Sequence, residues 1–161
     1  MTRLDSVGQT MTLTGKPLGT NAKLDLAAYK GRITLIHYWA TWCEPCKVDM
    51  AQLKELQAKY GKQGFELIGV NLDDKSETAI DFLTKNRLPS AQLHEVGGLD
   101  SRYANEMGIQ NLPTMILIDE AGKVVNRGIH ITELENELRK RIKTDTANAA
   151  PNPATKGKAT K

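Results

Sequence analysis

Trp39-Ala40-Thr41-Trp42-Cys43-Glu44-Pro45-Cys46 is the stretch on which the reading of this chain turns, because both cysteines of the 161 residues fall in its last four positions. Before it, residues 33–39 form a near-continuous apolar run rich in β-formers. Such a run suits a central strand covered on both faces. After it, Met50, Leu53, Leu56 and Tyr60 recur at spacings of three and four, which predicts an amphipathic helix from Glu44 to about Tyr60. Pro45 falls in the first turn of that helix, where a missing N–H costs nothing. The tetrad thus lies where a strand hands over to a helix. Cys43 there meets the positive end of the helix dipole and unpaired backbone N–H groups. Both favour thiolate over thiol, and the thiolate is the attacking species. Cys46 lies one turn on along the same face, so the two sulfurs can bond without long-range closure. Cys43, exposed, would attack a partner's disulfide, and Cys46 would then attack Cys43 and release the partner.

Two plainer readings compete with exchange chemistry. A lone C-x-x-C is often half of a zinc site, but zinc wants about four ligands. There is no second cysteine pair, and His37, His94 and His130 are scattered without ligand spacing, so no metal site is expected. A purely structural disulfide would close a very small loop and contribute little through chain entropy.

Working outward, residues 9–14 alternate apolar and polar, which predicts a half-buried strand. Residues 15–19 carry turn chemistry, and residues 24–29 predict a short helical turn before Gly31. Residues 65–71 read as a second buried strand. Asp74 followed by Glu77 predicts a helix start, with Ile80 and Leu83 as its buried face to about Asn86. Leu99, Tyr103 and Met107 outline a shorter helix that Gly108 closes in a left-handed conformation. Residues 114–118 and 123–126 read as strands joined by Asp119-Glu120-Ala121-Gly122. Thr132 with Glu135 predicts a capping box for a last helix buried through Leu134, Leu138 and Ile142. The fold class is α/β: a domain over residues 1–143, then a polar, Lys-bearing tail over 144–161. That tail is expected to be disordered, because it holds too little apolar surface to offset its ordering entropy.

The bulk properties limit the partners. Twenty-two basic and 19 acidic residues give a formal charge of +3, with no basic face interleaved with aromatics, so nucleic acid is not an expected partner. No segment approaches the ~18 apolar residues of a membrane-spanning helix. The first residues lack the apolar stretch of a secretory signal. Either the protein stays where it is made, or a leader or anchor lies outside this chain.

The stretch 39–46 resembles the active site of the thioredoxin superfamily, most of all the extracytoplasmic TlpA/ResA-type thiol–disulfide reductases, some of which carry the same Cys-Glu-Pro-Cys. The resemblance spans about residues 7–142. Residues 8–31 are similar to that branch's N-terminal hairpin, and residues 71–98 to its inserted helix region. Leu112-Pro113-Thr114 stands where the superfamily places a cis-proline before the hairpin strand. The resemblance implies a thioredoxin-like fold, with a central mixed sheet flanked by helices. It implies Cys43 as nucleophile, Cys46 as resolving thiol and Pro113 as the cis-proline beside the disulfide. The backbone of Leu112 would be open to an extended partner segment.

Further site residues follow from the same resemblance. Asp49 stands where ResA-type members keep an acidic residue, and there it could relay a proton of the buried thiol; a solvated helix acid is the plainer alternative. His37, six residues before Cys43, departs from the aspartate or asparagine usual at that strand position. A protonated imidazole there would raise the reduction potential, and a neutral one could act as base toward Cys46; a hydrogen-bonded core histidine is the plainer alternative. Trp42, Glu44 and Pro45 would meet the substrate, with Trp42 shielding the disulfide and Trp39 in the core. Glu44 would lessen the positive field on the thiolate and so point to a reductant. His94 and His130 read as surface or loop residues.

The expected function is a thiol–disulfide oxidoreductase without metal or organic cofactor, reducing protein disulfides as a monomer; the resemblance alone implies the periplasm or the extracytoplasmic face of the membrane as its location. Apocytochrome or other secreted-protein cysteines are the implied substrates, and a thioredoxin-like or membrane donor would re-reduce it. A Cu(I)-holding metallochaperone is the rival, since soft thiolates suit that ion. Related copper proteins, however, space their cysteines by three and add a histidine near the cis-proline, where this chain has Asn111 and Thr114. Peroxidase activity is weaker still, as no Thr-x-x-Cys occurs.

Overall fold

The computed structural model describes residues 7–87, 90–94, 98–109 and 111–145. The chain opens with a two-stranded antiparallel sheet, β1 (Thr14–Gly15) and β2 (Leu24–Asp25), the N-terminal hairpin the resemblance implied. A 3₁₀ turn follows at Leu26–Tyr29, capped by the Asp25 carboxylate on the Ala27 N–H. The main sheet is mixed. β3 (Ile33–Trp39), β4 (Phe65–Asn71) and β5 (Ala91–His94) run parallel, and β6 (Thr114–Ile118) and β7 (Val124–Asn126) join antiparallel, in the order β5-β4-β3-β6-β7. Helices α1 (Glu44–Tyr60), α2 (Ser76–Asn86), α3 (Arg102–Met107) and α4 (Ile131–Asp145) flank it.

Every residue of β3 is buried, as its unbroken apolar run requires of a strand covered on both sides. Ile36 and Tyr38 point to one face, into a core shared with Met11, Leu13, Tyr103 and Ile116. Ile33 and Leu35 point to the other, against Leu53 and Leu56 of α1 and Leu134 and Leu138 of α4. The period-two alternation of the strand thus feeds two cores and fixes its register. Trp39, its last residue, lies opposite Asn71 of β4, so both strands end together where the tetrad begins.

Several expectations need correction. Residues 9–14 are not one strand: Met11 and Leu13 are buried in alternation, but only Thr14 falls in a strand, β1, and the rest meets the β7 side of the main sheet through a bridge at Thr10–Lys123 and single backbone hydrogen bonds. Asp74 does not cap α2, which starts two residues later behind Lys75 with no side-chain cap. Leu83 packs on the cysteine cluster as expected, but Ile80 is 44% exposed, and Ala79 and Phe82 complete the packed face instead. The region 71–98 holds a strand, β5, as well as its helix. α4 begins at Ile131 rather than behind Thr132, with Glu133 accepting from the His130 N–H at 3.2 Å and Glu135 bonded to Lys59 and Tyr60. α4 also runs to Asp145, past the expected boundary at 143, and the rest of the expected tail lies outside the described residues. Gly108 closes α3 in the left-handed region, φ 68°, as its sequence position predicts.

Candidate active site

Cys43 is the cap of α1. Its backbone is extended, and its Sγ accepts the Cys46 N–H at 3.2 Å. The two cysteines form a disulfide with their Cα atoms 5.3 Å apart. Cys43 is 5% exposed and Cys46 fully buried, so the expected exposure of Cys43 is only a narrow edge. They pack with Trp39 and Met50, and Phe82, Leu83 and Leu112 close over that cluster. Trp42, by contrast, stands 60% exposed at the rim. Glu44 and Pro45 are exposed beside it, and Glu44 pairs with Lys47 at 3.0 Å. Lys47 in turn sits 5.9 Å from the Phe82 ring centre, and Phe82 lies against Trp39.

The Leu112–Pro113 peptide bond is cis. Leu112 packs on the cysteine cluster, which brings this peptide to the pair from the start of β6. From Pro113 an open pocket of about 350 Å³ extends past Asp49, Thr114, Arg127 and His130. Asp49 is half-buried in its wall, one turn along α1 from Cys46. Burial pushes its carboxyl above the usual range, and the charge of His130 pulls it back.

His37 faces the same side of β3 as Leu35 and Trp39, with 2% exposure. Burial pushes its imidazole down to about 3, so the ring is neutral near pH 7. Its Nε2 has no protein hydrogen-bond partner among the described residues. It borders a cavity of about 10 Å³ together with Met50, Leu53 and Gln92. A protonated imidazole at this strand position is therefore not what the fold holds near neutral pH.

Residues 6–142 match the Redoxin family. The chain belongs to the Redoxin family. Over 122 residues it is 31% identical to the thiol-disulfide oxidoreductase ResA of Bacillus thuringiensis subsp. konkukian, covering 74% of this chain and 69% of that one. It is 31% identical over 113 residues to the thiol:disulfide interchange protein HelX of Rhodobacter capsulatus, covering 70% and 61%. A solved thiol-disulfide oxidoreductase from Bacteroides fragilis superposes with a TM-score of 0.71 at 31% identity, covering 83% of this chain and 98% of that one. The thioredoxin domain of a thiol-disulfide oxidoreductase from Bacteroides vulgatus shares the fold, with a TM-score of 0.74 at 23% identity over 84% and 97%. This Redoxin-family chain is a thiol–disulfide oxidoreductase of thioredoxin-like fold, with a Cys43–Cys46 pair.

Sequence reasoning missed three residues around the Redoxin site. Gln92 accepts the Trp39 indole N–H at 2.8 Å, and it reaches there across Gly69, where any Cβ would collide with its amide. Asp73 holds Thr41, two residues before Cys43. His130 is exposed ahead of α4, as expected, but it shares the Asp49 pocket. The readable signal was a polar pair, Asn71 and Asp73, at and just past the end of a buried strand; Gln92 and His130 had none. Among the described residues no group of three or more His, Cys, Asp or Glu is placed to hold a metal, and no helix is long and apolar enough to cross a membrane.

Proposed function

We propose that this oxidoreductase works as a reductant of disulfides in other proteins. The observation that carries exchange at Cys43 is its sulfur at the first turn of α1 with the Cys46 N–H aimed at it; the direction of electron flow is carried separately, by the buried His37. In the reduced protein that N–H and the helix dipole favour negative charge on Cys43. The Cys43 thiolate attacks one sulfur of a partner disulfide, forming a mixed disulfide and expelling the partner's other sulfur as thiolate. Cys46, losing its proton, then attacks the Cys43 sulfur, restores the 43–46 disulfide and releases the partner's second thiolate. Two electrons have passed to the partner, and a thioredoxin-like or membrane donor must return them.

The remaining residues divide by position. Pro113 and the Leu112 backbone receive the partner's extended segment, with Trp42, Glu44 and Pro45 at the rim. Asp49 takes the Cys46 proton. The direction follows from His37: a neutral ring lends the thiolate no positive charge, which favours a low potential. Its depressed proton affinity makes it a poor base, so its part is to keep the site apolar. Glu44 contributes less than its charge implies, because Lys47 offsets it. The protein acts as a monomer outside the cytoplasm, on apocytochrome or other secreted-protein cysteines, through a domain ending with α4; the likeness to the ResA branch supports that compartment.

Trapping tests the reading. Cys46→Ser should accumulate dithiothreitol-sensitive adducts with cysteine-containing extracytoplasmic proteins, and Cys43→Ser should accumulate none. Equal trapping by both variants would contradict the assigned roles.

A further inference from the structure

The attacking sulfur is presented by a tight turn, and that turn is gripped from the neighbouring strand. The Cys43 N–H donates to the Ala40 carbonyl at 3.1 Å, which makes Thr41 and Trp42 the middle residues of the turn. The Thr41 N–H donates to both carboxylate oxygens of Asp73, at 3.2 and 3.0 Å, and its hydroxyl donates to Oδ1 at 2.7 Å. The Asn71 side-chain amide donates to Asp73 Oδ2 at 2.8 Å, and the Asp73 N–H donates back to Asn71 Oδ1 at 2.9 Å. Both residues are buried. Between them the Leu72 N–H donates to the Trp39 carbonyl at 2.8 Å, so the β3–β4 ladder continues to the edge of the turn. The Asp73 carbonyl accepts from His94 Nε2 at 2.8 Å; a carbonyl only accepts, so that nitrogen carries its hydrogen.

Three donor groups converging on one buried carboxylate match its ionised form, which is acceptor-only. Stranding such a charge without its partners is costly, so the clasp resists coming apart. Its place matters most when the disulfide is open. In the oxidised protein the S–S bond ties Cys43 to α1; once it is reduced, the turn and the Cys46 N–H are what hold the sulfur. We infer that Asp73 is a positioning residue for exchange, holding the Thr41 turn so that the reduced Cys43 sulfur stays at the start of α1. This rests on the reading of Cys43 as the attacking sulfur.

Thr41→Val removes the hydroxyl donor while keeping shape and the backbone N–H. Thr41→Ser keeps both donors. Asp73→Asn turns an amide N–H₂ or a single acceptor toward donors. The measurement is the second-order rate of attack by the reduced protein on glutathione disulfide, with urea midpoints for both redox forms. The expected result is a fall of about tenfold for Thr41→Val and Asp73→Asn, the scale of a hydrogen bond to a charged group applied to geometry. Thr41→Ser should return to about the wild-type rate, and the midpoint loss should be larger in the reduced form than in the oxidised. Thr41→Val keeps the test decisive if Asp73→Asn does not fold. A Thr41→Val rate within about twofold of wild type, or equal midpoint losses in both forms with the rate intact, would overturn the inference. A wild-type rate that survives Cys43→Ser would instead overturn the reading of Cys43 on which it rests.

Discussion

The backbone N–H of Cys46 donates to the Sγ of Cys43 across 3.2 Å, so the amide of the proposed resolving cysteine supports the proposed attacking sulfur. The same three-residue step buries Cys46 completely while leaving Cys43 a narrow exposed edge. In the reduced protein, iodoacetamide at pH 7 should therefore alkylate Cys43 at least about ten times faster than Cys46. Peptide mapping of the alkylated protein measures this, and equal labelling would contradict it.

His37 gives the fold an acid weakness. Its pKa falls from 6.5 to about 3 on folding, so between those values the unfolded chain binds a proton that the folded one does not. Stability contributed by the neutral ring is present above the unfolded value and is lost as pH falls below it, at a limiting slope of about 1.4 kcal/mol per pH unit. His37→Leu should remove that component. Urea titrations of wild type and variant from pH 7 to 4.5 should diverge in slope, and parallel curves would show that His37 is protonated in the folded protein.

Gly69 is required by a close approach. Gln92 crosses over it to accept the Trp39 indole N–H at 2.8 Å and to donate to Ser90 Oγ at 3.0 Å. Gly69→Ala should displace the Gln92 amide, leave the buried indole N–H unpartnered and cost about 1–3 kcal/mol. A lowered urea midpoint and an altered near-ultraviolet circular dichroism of tryptophan are the expected signs. Wild-type values for both would contradict the packing described.

How much of this was legible in the chain depended on whether a signal was local. The runs at 33–39 and 65–71, the spacing of Met50, Leu53, Leu56 and Tyr60, and the lone cysteine pair each state their structure within a few residues. β5 was not legible because its alternation of apolar and polar residues lasts only the four residues Ala91–His94. Ile80 was misplaced because helical spacing defines a face without saying which neighbour covers it; Ala79 is buried in its stead, and Phe82 packs on the cysteine cluster. His37 announced its position but not its charge, which depends on burial between β3 and α1. The Asp73 clasp and the pocket that Asp49 and His130 both line join residues more than 30 apart, beyond the reach of any periodicity.

Asp49 and His130 share a wall of the pocket that begins at Pro113. If Asp49 takes the Cys46 proton, Asp49→Asn should slow release of a partner from the mixed disulfide about a hundredfold, the low end of general-base effects. His130→Asn should move the acid limb of that pH profile upward, because burial then acts on Asp49 without the opposing charge. Stopped-flow release rates between pH 4 and 8 measure both, and an unchanged Asp49→Asn profile would remove Asp49 from the mechanism.

The central claim is that the Cys43–Cys46 pair gives electrons rather than takes them, and its midpoint potential tests that claim most directly. Equilibration against dithiothreitol and glutathione buffers, read by thiol alkylation, should give a value at or below the thioredoxin level of about −270 mV. A value near about −120 mV, the level of a strong oxidant, would contradict the account and make the pair a disulfide donor.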